Sequence, residues 1–461
     1  MKKEFNGKTY TFPDKKPELL LPAGDLQKAK FAFAFGADAI YAGVPVYALR
    51  AKENKFTINH VKEIIKYAHS LGKKVYLTTN IYPHNHKIDG FMKAFAQLVS
   101  LNPDAFIVSD PGVISLIRKR WSKEEVELHL SVQQNNVNWA SAQFWYEQAG
   151  ISRVILAREL TLSEVKEITQ KNPSMEFEYF VHGAMCIAYS GRCLLSNYFA
   201  HRDANQGVCA QSCRWQYRVL QKTDEILQEK KYLPLQSKGA SSVSQENNSF
   251  VLEEKLRTGE YNQIEEDDNG TYILNSRDLC MIDFLPELID AGVDSFKIEG
   301  RNKSVYYAAI AAKAYRQAID NLYEGSYPDT RALLELLQSA ANRGFTPGLL
   351  RGSLGEHGQR YEGNTVLQSH LFLGIILDAV LHKPIQRIQV DIKNKIDVGD
   401  RIEIITPQRH ITCRVKDLTI HNKEVFCAHP GQKNVQLTCD ISFELYSNFA
   451  LLRRKGSQQH K

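Results

Sequence analysis

The chain has 461 residues, 43% of them hydrophobic and 24% charged, with a formal net charge of +6. That length allows two or three domains, and the hydrophobic share excludes a disordered or collagen-like chain. The modest positive charge permits an anionic partner without requiring one.

Residues 1–16 carry lysines but no apolar signal core, and the apolar stretch 31–43 is broken by Asp38 and too short to span a bilayer. A cytoplasmic location, reduced thiols and no membrane partner are expected. Short apolar runs rich in β-branched and aromatic residues follow at 19–21, 39–42, 75–79, 105–108, 128–132, 154–157 and 177–181. Helical spacing lies between them, as at Val61, Ile64, Ile65 and Ala68 before the stop at Gly72. Seven strand–helix units and a later strand at 295–298 predict an α/β protein built on a TIM-like (β/α)8 barrel, with a doubly wound open sheet as the alternative. Polar residues stand just after the strands at Asp25, Asn80, Asp110, Gln133, Arg158, Glu159, His182, Glu299 and Arg301. In a barrel those positions line one mouth, where ligands and catalytic groups gather.

The barrel pattern covers 1–221 and 269–362. Between them, 222–268 is rich in Ser, Asn and Glu and predicts a mobile insertion. From 363 to 455 short alternating strands predict a small C-terminal β-barrel, with a turn at Asp397-Val398-Gly399-Asp400 and a tail at 456–461. Two basic runs, Arg118-Lys119-Arg120 and Arg453-Arg454-Lys455, read as solvated helix and tail charges.

Cys186, Cys193, Cys209 and Cys213 fall within 28 residues, spaced C-x6-C-x15-C-x3-C and threaded with Gly183, Gly191 and Gly207. In a chain expected to keep its thiols reduced, such a set grips a metal or cluster rather than forming disulfides. Four thiolates suit zinc and an iron–sulfur cluster equally, and spacing does not choose between them. The radical-SAM spacing C-x3-C-x2-C is absent. Cys280, Cys413, Cys427 and Cys439 each stand alone and read as core residues.

The segment from Glu178 through Gly183-Ala184-Met185-Cys186 to Cys193 and Ser196 resembles the signature of the peptidase U32 family. The resemblance continues through Tyr41-Ala42-Gly43, Ser109-Asp110-Pro111-Gly112, Ser131-Val132-Gln133, His201-Arg202-Asp203, Cys213-Arg214-Trp215, Asn275-Ser276-Arg277-Asp278-Leu279 and Lys297-Ile298-Glu299-Gly300-Arg301. It implies a barrel-like N-terminal domain, a small C-terminal β-barrel, and an iron–sulfur cluster, [4Fe–4S] in type, on Cys186, Cys193, Cys209 and Cys213. Within the family the chain most resembles the branch implicated in making 5-hydroxyuridine at the wobble position of tRNA, with prephenate as co-substrate. The implied partners are the tRNA anticodon loop, prephenate, and an electron donor or Fe–S assembly proteins.

On that reading a dicarboxylate needs guanidinium forks, and Arg158, Arg192 and Arg301 are the candidates. His182 and Glu299 are the acid/base candidates. Tyr189, Tyr198 and Trp215 could stack on a base leaving the anticodon loop, and Arg118–Arg120 or the C-terminal barrel could hold phosphates. The family name also implies a peptidase. The chain has no H-E-x-x-H and no G-x-S-x-G, and a Cys186–His182 dyad is the remaining hydrolytic arrangement. A non-catalytic RNA-binding assembly factor is the third reading.

Overall fold

The computed structural model describes residues 1–44, 48, 56–185, 212, 277–352, 367–378 and 384–456, together with the backbones of short strands between 217 and 271. After an N-terminal hairpin of Lys2–Phe5 and Lys8–Thr11, eight parallel strands alternate with helices. The strands are β1 (Glu18–Ala23), β2 (Ala39–Gly43), β3 (Lys74–Thr78), β4 (Ala105–Val108), β5 (Leu128–Leu130), β6 (Arg153–Ile155), β7 (Glu176–Ala184) and β8 (Ser295–Ile298). Each pairs with the next, and β8 pairs with both β7 and β1. The sheet therefore closes, and the open doubly wound alternative falls away.

Helices α1 (Leu26–Ala34), α2 (Ile58–Ser70), α3 (Ile88–Val99), α4 (Pro111–Arg120), α5 (Trp139–Ala149), α6 (Leu162–Lys171), α7 (Leu285–Asp290) and α8 (Val305–Glu324) follow or precede the strands in turn. Local chemistry fixes their ends. Thr57 and His60 form a capping box at α2, whose buried face is Val61, Ile64, Ile65 and Ala68. Asp25 and Asp110, expected at the mouth, cap α1 and α4 by accepting the amides of Lys28 and Val113 at 2.8 Å each. No helix among the described residues is long and apolar enough to cross a membrane.

Within the span 222–268 the described backbone forms short strands. Phe250–Glu254 pairs antiparallel with Tyr217–Gln221 and with Tyr261–Ile264, so alternation within short pieces outweighs the polar average of the segment. The C-terminal domain is a closed antiparallel barrel of β9 (His370–Asp378), β10 (Pro384–Ile392), β11 (Arg401–Ile405), β12 (His410–Ile420), β13 (Val435–Glu444) and β14 (Leu451–Lys455), in the order β11-β14-β9-β10-β13-β12. The basic run 453–455 is thus strand, not tail. Arg453 is buried, donating to Glu403 Oε2 at 2.6 Å and to Tyr306 Oη on α8 at 3.1 Å.

The two domains share a packed seam along α8. The Tyr306 ring stacks on Phe372 at 5.1 Å, and Lys313 Nζ donates to the carbonyls of Thr406 and Pro407 at 2.9 and 2.6 Å. Of the isolated cysteines, Cys280, Cys413 and Cys439 are core residues as expected. Cys427 is half-buried, with its Sγ 3.4 Å from His429 Nε2.

The barrel lumen is filled by charge. Arg153 donates through Nη1 to Glu18 at 2.6 Å and to Glu178 at 3.5 Å, and through Nη2 to Glu176 at 2.6 Å. Lys297 Nζ donates to the other oxygen of Glu178 at 2.5 Å, and Tyr76 Oη to Glu18 at 2.6 Å. Burial alone raises the pKa of Glu18, but Arg153 and the hydrogen bond from Tyr76 overcome it and hold the carboxyl near about 2. Arg153→Met leaves Glu18 and Glu178 buried without their shared cation and should cost about 3–5 kcal/mol in denaturant-induced unfolding. Because the folded pKa of Glu18 is depressed, its stabilising contribution is complete above the ordinary carboxylate range and is lost as pH falls toward about 2. That part of the acid sensitivity should be absent from the variant.

Candidate functional site

Three cations from neighbouring strand ends meet around two aromatic rings at the mouth. Phe180 on β7 points into the lumen, with the Arg158 guanidinium 3.9 Å from its ring centroid and Lys297 Nζ at 5.5 Å. Tyr41 on β2 lies beneath Lys297 at 4.3 Å and Arg301 at 5.8 Å, and its hydroxyl donates to the Ile298 carbonyl at 3.0 Å. Arg301 Nη1 donates to Thr78 Oγ1 at 3.2 Å. The Nε of Arg158 is buried and has no hydrogen-bond partner among the described residues. A buried guanidinium donor left open marks a place where a ligand oxygen would be satisfied.

The sequence-chosen residues Arg158 and Arg301 are therefore brought to one mouth, and Lys297 joins them. Burial lowers the Lys297 pKa, and Glu178 opposes the shift without cancelling it. The signal that could have found Lys297 is the alternation of Ser295 and Lys297 with the outward-facing Phe296 and Ile298. Arg192 lies outside the described residues, as do Cys186, Cys193, Cys209, Cys213, Tyr189, Tyr198 and Trp215.

His182 goes elsewhere. Alternation along Glu178 and Phe180 predicts that it faces the lumen. However, the register opposite β8 slips, so Phe180 pairs with Lys297 and His182 with Ile298. The extra residue, Val181, turns His182 to the outer side. There its ring packs against Tyr307 and Tyr315 of α8 and against Phe345, with Nδ1 3.4 Å from the Tyr315 hydroxyl. Burial, with a smaller contribution from Lys303, pushes its pKa down to about 3. It is a neutral wall residue in surroundings that do not suit proton exchange.

Gly183 follows in the left-handed region at φ 106°, and a Cβ there would stand 2.4 Å from the Glu299 carbonyl oxygen. That close approach carries β7 onward to Met185, the last described residue before Cys186. Glu299 is itself buried; its amide donates to the His182 carbonyl and its carbonyl accepts from Tyr307 Oη, both at 2.8 Å.

The short strand Asp278–Cys280 runs antiparallel to the end of β7, pairing Asp278 with Ala184. Asp278 is buried, its Oδ1 has no partner among the described residues, and its Oδ2 lies 3.9 Å from Lys303 Nζ. The chain thus enters the cysteine segment at the mouth end of the barrel, beside the buried carboxylate of Asp278. Four thiolates on that segment fit an iron–sulfur cluster by the chemistry of the donor set.

The rest of the rim is knitted together. Asn80 Nδ2 donates to Ser131 Oγ at 3.0 Å, Ser109 Oγ to the Asn80 carbonyl at 3.1 Å, and Tyr82 Oη to the Gln133 carbonyl at 2.8 Å. Arg118, a candidate for phosphates, is instead structural. Its guanidinium donates to the carbonyls of Ala149, Ser122, Val126 and Gly150, and the phosphate role falls away for this residue.

Since the folded chain refuses a proton at His182 that the unfolded chain accepts near pH 6.5, stability falls as pH drops through the window from 6.5 toward 3. Unfolding free energies measured at about pH 7 and pH 5 should differ by about 2 kcal/mol from this group. His182→Leu should remove it.

Comparison with known proteins places these features in context. Residues 24–360 match the profile described as "Peptidase family U32", and residues 368–453 match "Peptidase family U32 C-terminal domain". The chain is 43% identical over 449 residues to "tRNA hydroxylation protein P" of Escherichia coli K12, covering 96% of this chain and 97% of that one. It is 40% identical to the protein of the same name from Haemophilus influenzae, covering 95% and 96%. A more distant relative, "23S rRNA 5-hydroxycytidine C2501 synthase" of E. coli K12, is 26% identical over 91% of this chain and 57% of that one.

Proposed function

The chain belongs to peptidase family U32, and from that premise we propose that it is an iron–sulfur-dependent tRNA hydroxylation enzyme that forms 5-hydroxyuridine at the wobble position with prephenate as co-substrate. The observation that carries this reading is the near full-length likeness to two relatives named as tRNA hydroxylation proteins. The mouth supports it: Arg158, Lys297 and Arg301 converge on the faces of Phe180 and Tyr41, an arrangement suited to a cyclic dicarboxylate.

In this reading Arg158 and Arg301 orient the co-substrate carboxylates, and Lys297 lends positive charge from below while Glu178 holds its ammonium in place. Cys186, Cys193, Cys209 and Cys213 would hold the cluster, which when bound supplies one-electron chemistry at the mouth. The wobble base comes from a single-stranded loop, which lowers the cost of unstacking it into a pocket. The hydrolytic alternative loses its base, because His182 is packed among three aromatic rings.

Nucleoside analysis of tRNA from a deletion strain should show 5-hydroxyuridine lost, restored by the wild-type gene and not by Cys186→Ser. Arg158→Ala and Arg301→Ala should each lower it, since a charge-assisted hydrogen bond of about 1.5–3 kcal/mol corresponds to tenfold or more in co-substrate affinity. Anaerobically purified protein should carry about four irons and four sulfides. Unchanged 5-hydroxyuridine in the deletion strain would overturn the reading, and loss of a hydroxylated base from ribosomal RNA instead would redirect it to that substrate.

A further inference from the structure

The outer face of the C-terminal barrel carries a cavity that the mouth does not use. Its volume is about 380 Å³, and it is lined by Gln389 on β10, His421 and Asn422, Asn434, and Gln436 on β13. Every lining group is a neutral amide or an imidazole. His421 and Asn422 form the two-residue turn between β12 and the short strand Lys423–Val425, with φ of 50° and 63°. Positive φ at both turn positions fits a hairpin turn whose twist matches its strands. The His421 ring is steadied by Asn434, whose Nδ2 lies 3.2 Å from His421 Nδ1.

A cavity of amides without a carboxylate or a cation does not select an anion. Asn and Gln present a donor and an acceptor side by side, the pattern displayed by nucleobase edges. The volume lies within the range of small-ligand sites. Charge stands just outside it: Lys423 and Lys433, both exposed, adjoin Asn422 and Asn434 in the chain.

Phe426 follows on the same hairpin. It is 90% exposed, and its backbone carbonyl is anchored by the Val398 amide at 2.9 Å. It stands at the bend just after Glu424 and Val425, and Glu424 is paired with Thr419, itself paired with Gln436. The carboxylate of Glu424 disfavours phosphates along that row, so an approaching strand would turn its bases to the sheet and its phosphates to the two lysines.

The geometry points to a second RNA site, one that takes an unpaired nucleotide with its base in the amide cavity, a neighbouring base on Phe426, and flanking phosphates at Lys423 and Lys433. This inference rests on the RNA-modifying reading above and adds a surface on the second barrel that takes other unpaired nucleotides of the same loop.

The test is the affinity of the full-length protein for a fluorescent anticodon stem-loop RNA, and for the same RNA with its loop sequestered in a duplex. Asn434→Ala/Gln436→Ala and Phe426→Ala should each raise Kd by about tenfold, the scale of a lost base contact, and only for the unpaired loop. Lys423→Ala/Lys433→Ala should flatten the salt dependence by about 0.7 per lysine in the log–log slope. Phe426 is so exposed that its removal leaves the fold intact, and melting temperatures check the others. Unchanged Kd and salt slope in folded variants would overturn the inference, even where cellular 5-hydroxyuridine still depends on the protein. Weakened loop binding with no hydroxylation defect in a deletion strain would support the inference and sink the proposed reaction alone.

Discussion

The Arg153 guanidinium, wedged between Glu18, Glu176 and Glu178, is the interaction on which the barrel depends. With Lys297 on the far oxygen of Glu178, it links β1, β6, β7 and β8, the strands that flank and form the closure of the sheet. Glu178, Arg153 and Lys297 are 0%, 2% and 3% exposed, so each charge survives only because its neighbours satisfy it. An apolar lumen would tolerate a slipped strand as an oily misfit. A charged one does not, because a shift of one residue would send a carboxylate into the helix layer and leave its cation alone. The network fixes register, and in doing so it fixes the height at which Lys297 meets the rings of Tyr41 and Phe180.

Above that floor the residue inserted at Val181 separates two environments. Before it, alternate side chains of β7 enter the lumen; after it, His182 belongs to the wall against α8. The mouth is left with basic side chains and aromatic faces, while the residues leading into the cysteine segment are gripped by Gly183, Glu299 and the antiparallel strand at Asp278. A strand that ends in so tight a grip hands the following segment a rigid starting point.

Much of this was legible in the sequence. Apolar runs located all eight barrel strands, and the change to short alternating strands located the second barrel, because burial of apolar faces leaves a periodic trace. Arg158 and Arg301 were found by their place after strands. The lumen charges were not found, since Glu18, Arg153 and Glu178 in a linear reading look like solvated residues at strand edges; only closure of the sheet turns them inward. His182 was misplaced because a bulge has no compositional signature. Arg118 was misread because a run of like charges does not show that one of its members bonds four carbonyls.

The seam along α8 has a geometric corollary. One hydroxyl, that of Tyr306, meets Ser339 on the barrel side and Arg453 on the C-terminal side, and its ring is stacked on Phe372. The helix that completes the first barrel is therefore also the bed of the second, held there by stacked rings and hydrogen bonds. The two domains behave as the jaws of a fixed gauge. A long, bent molecule that touches both must already have the right span between its parts, so shape would screen substrates before any base is read.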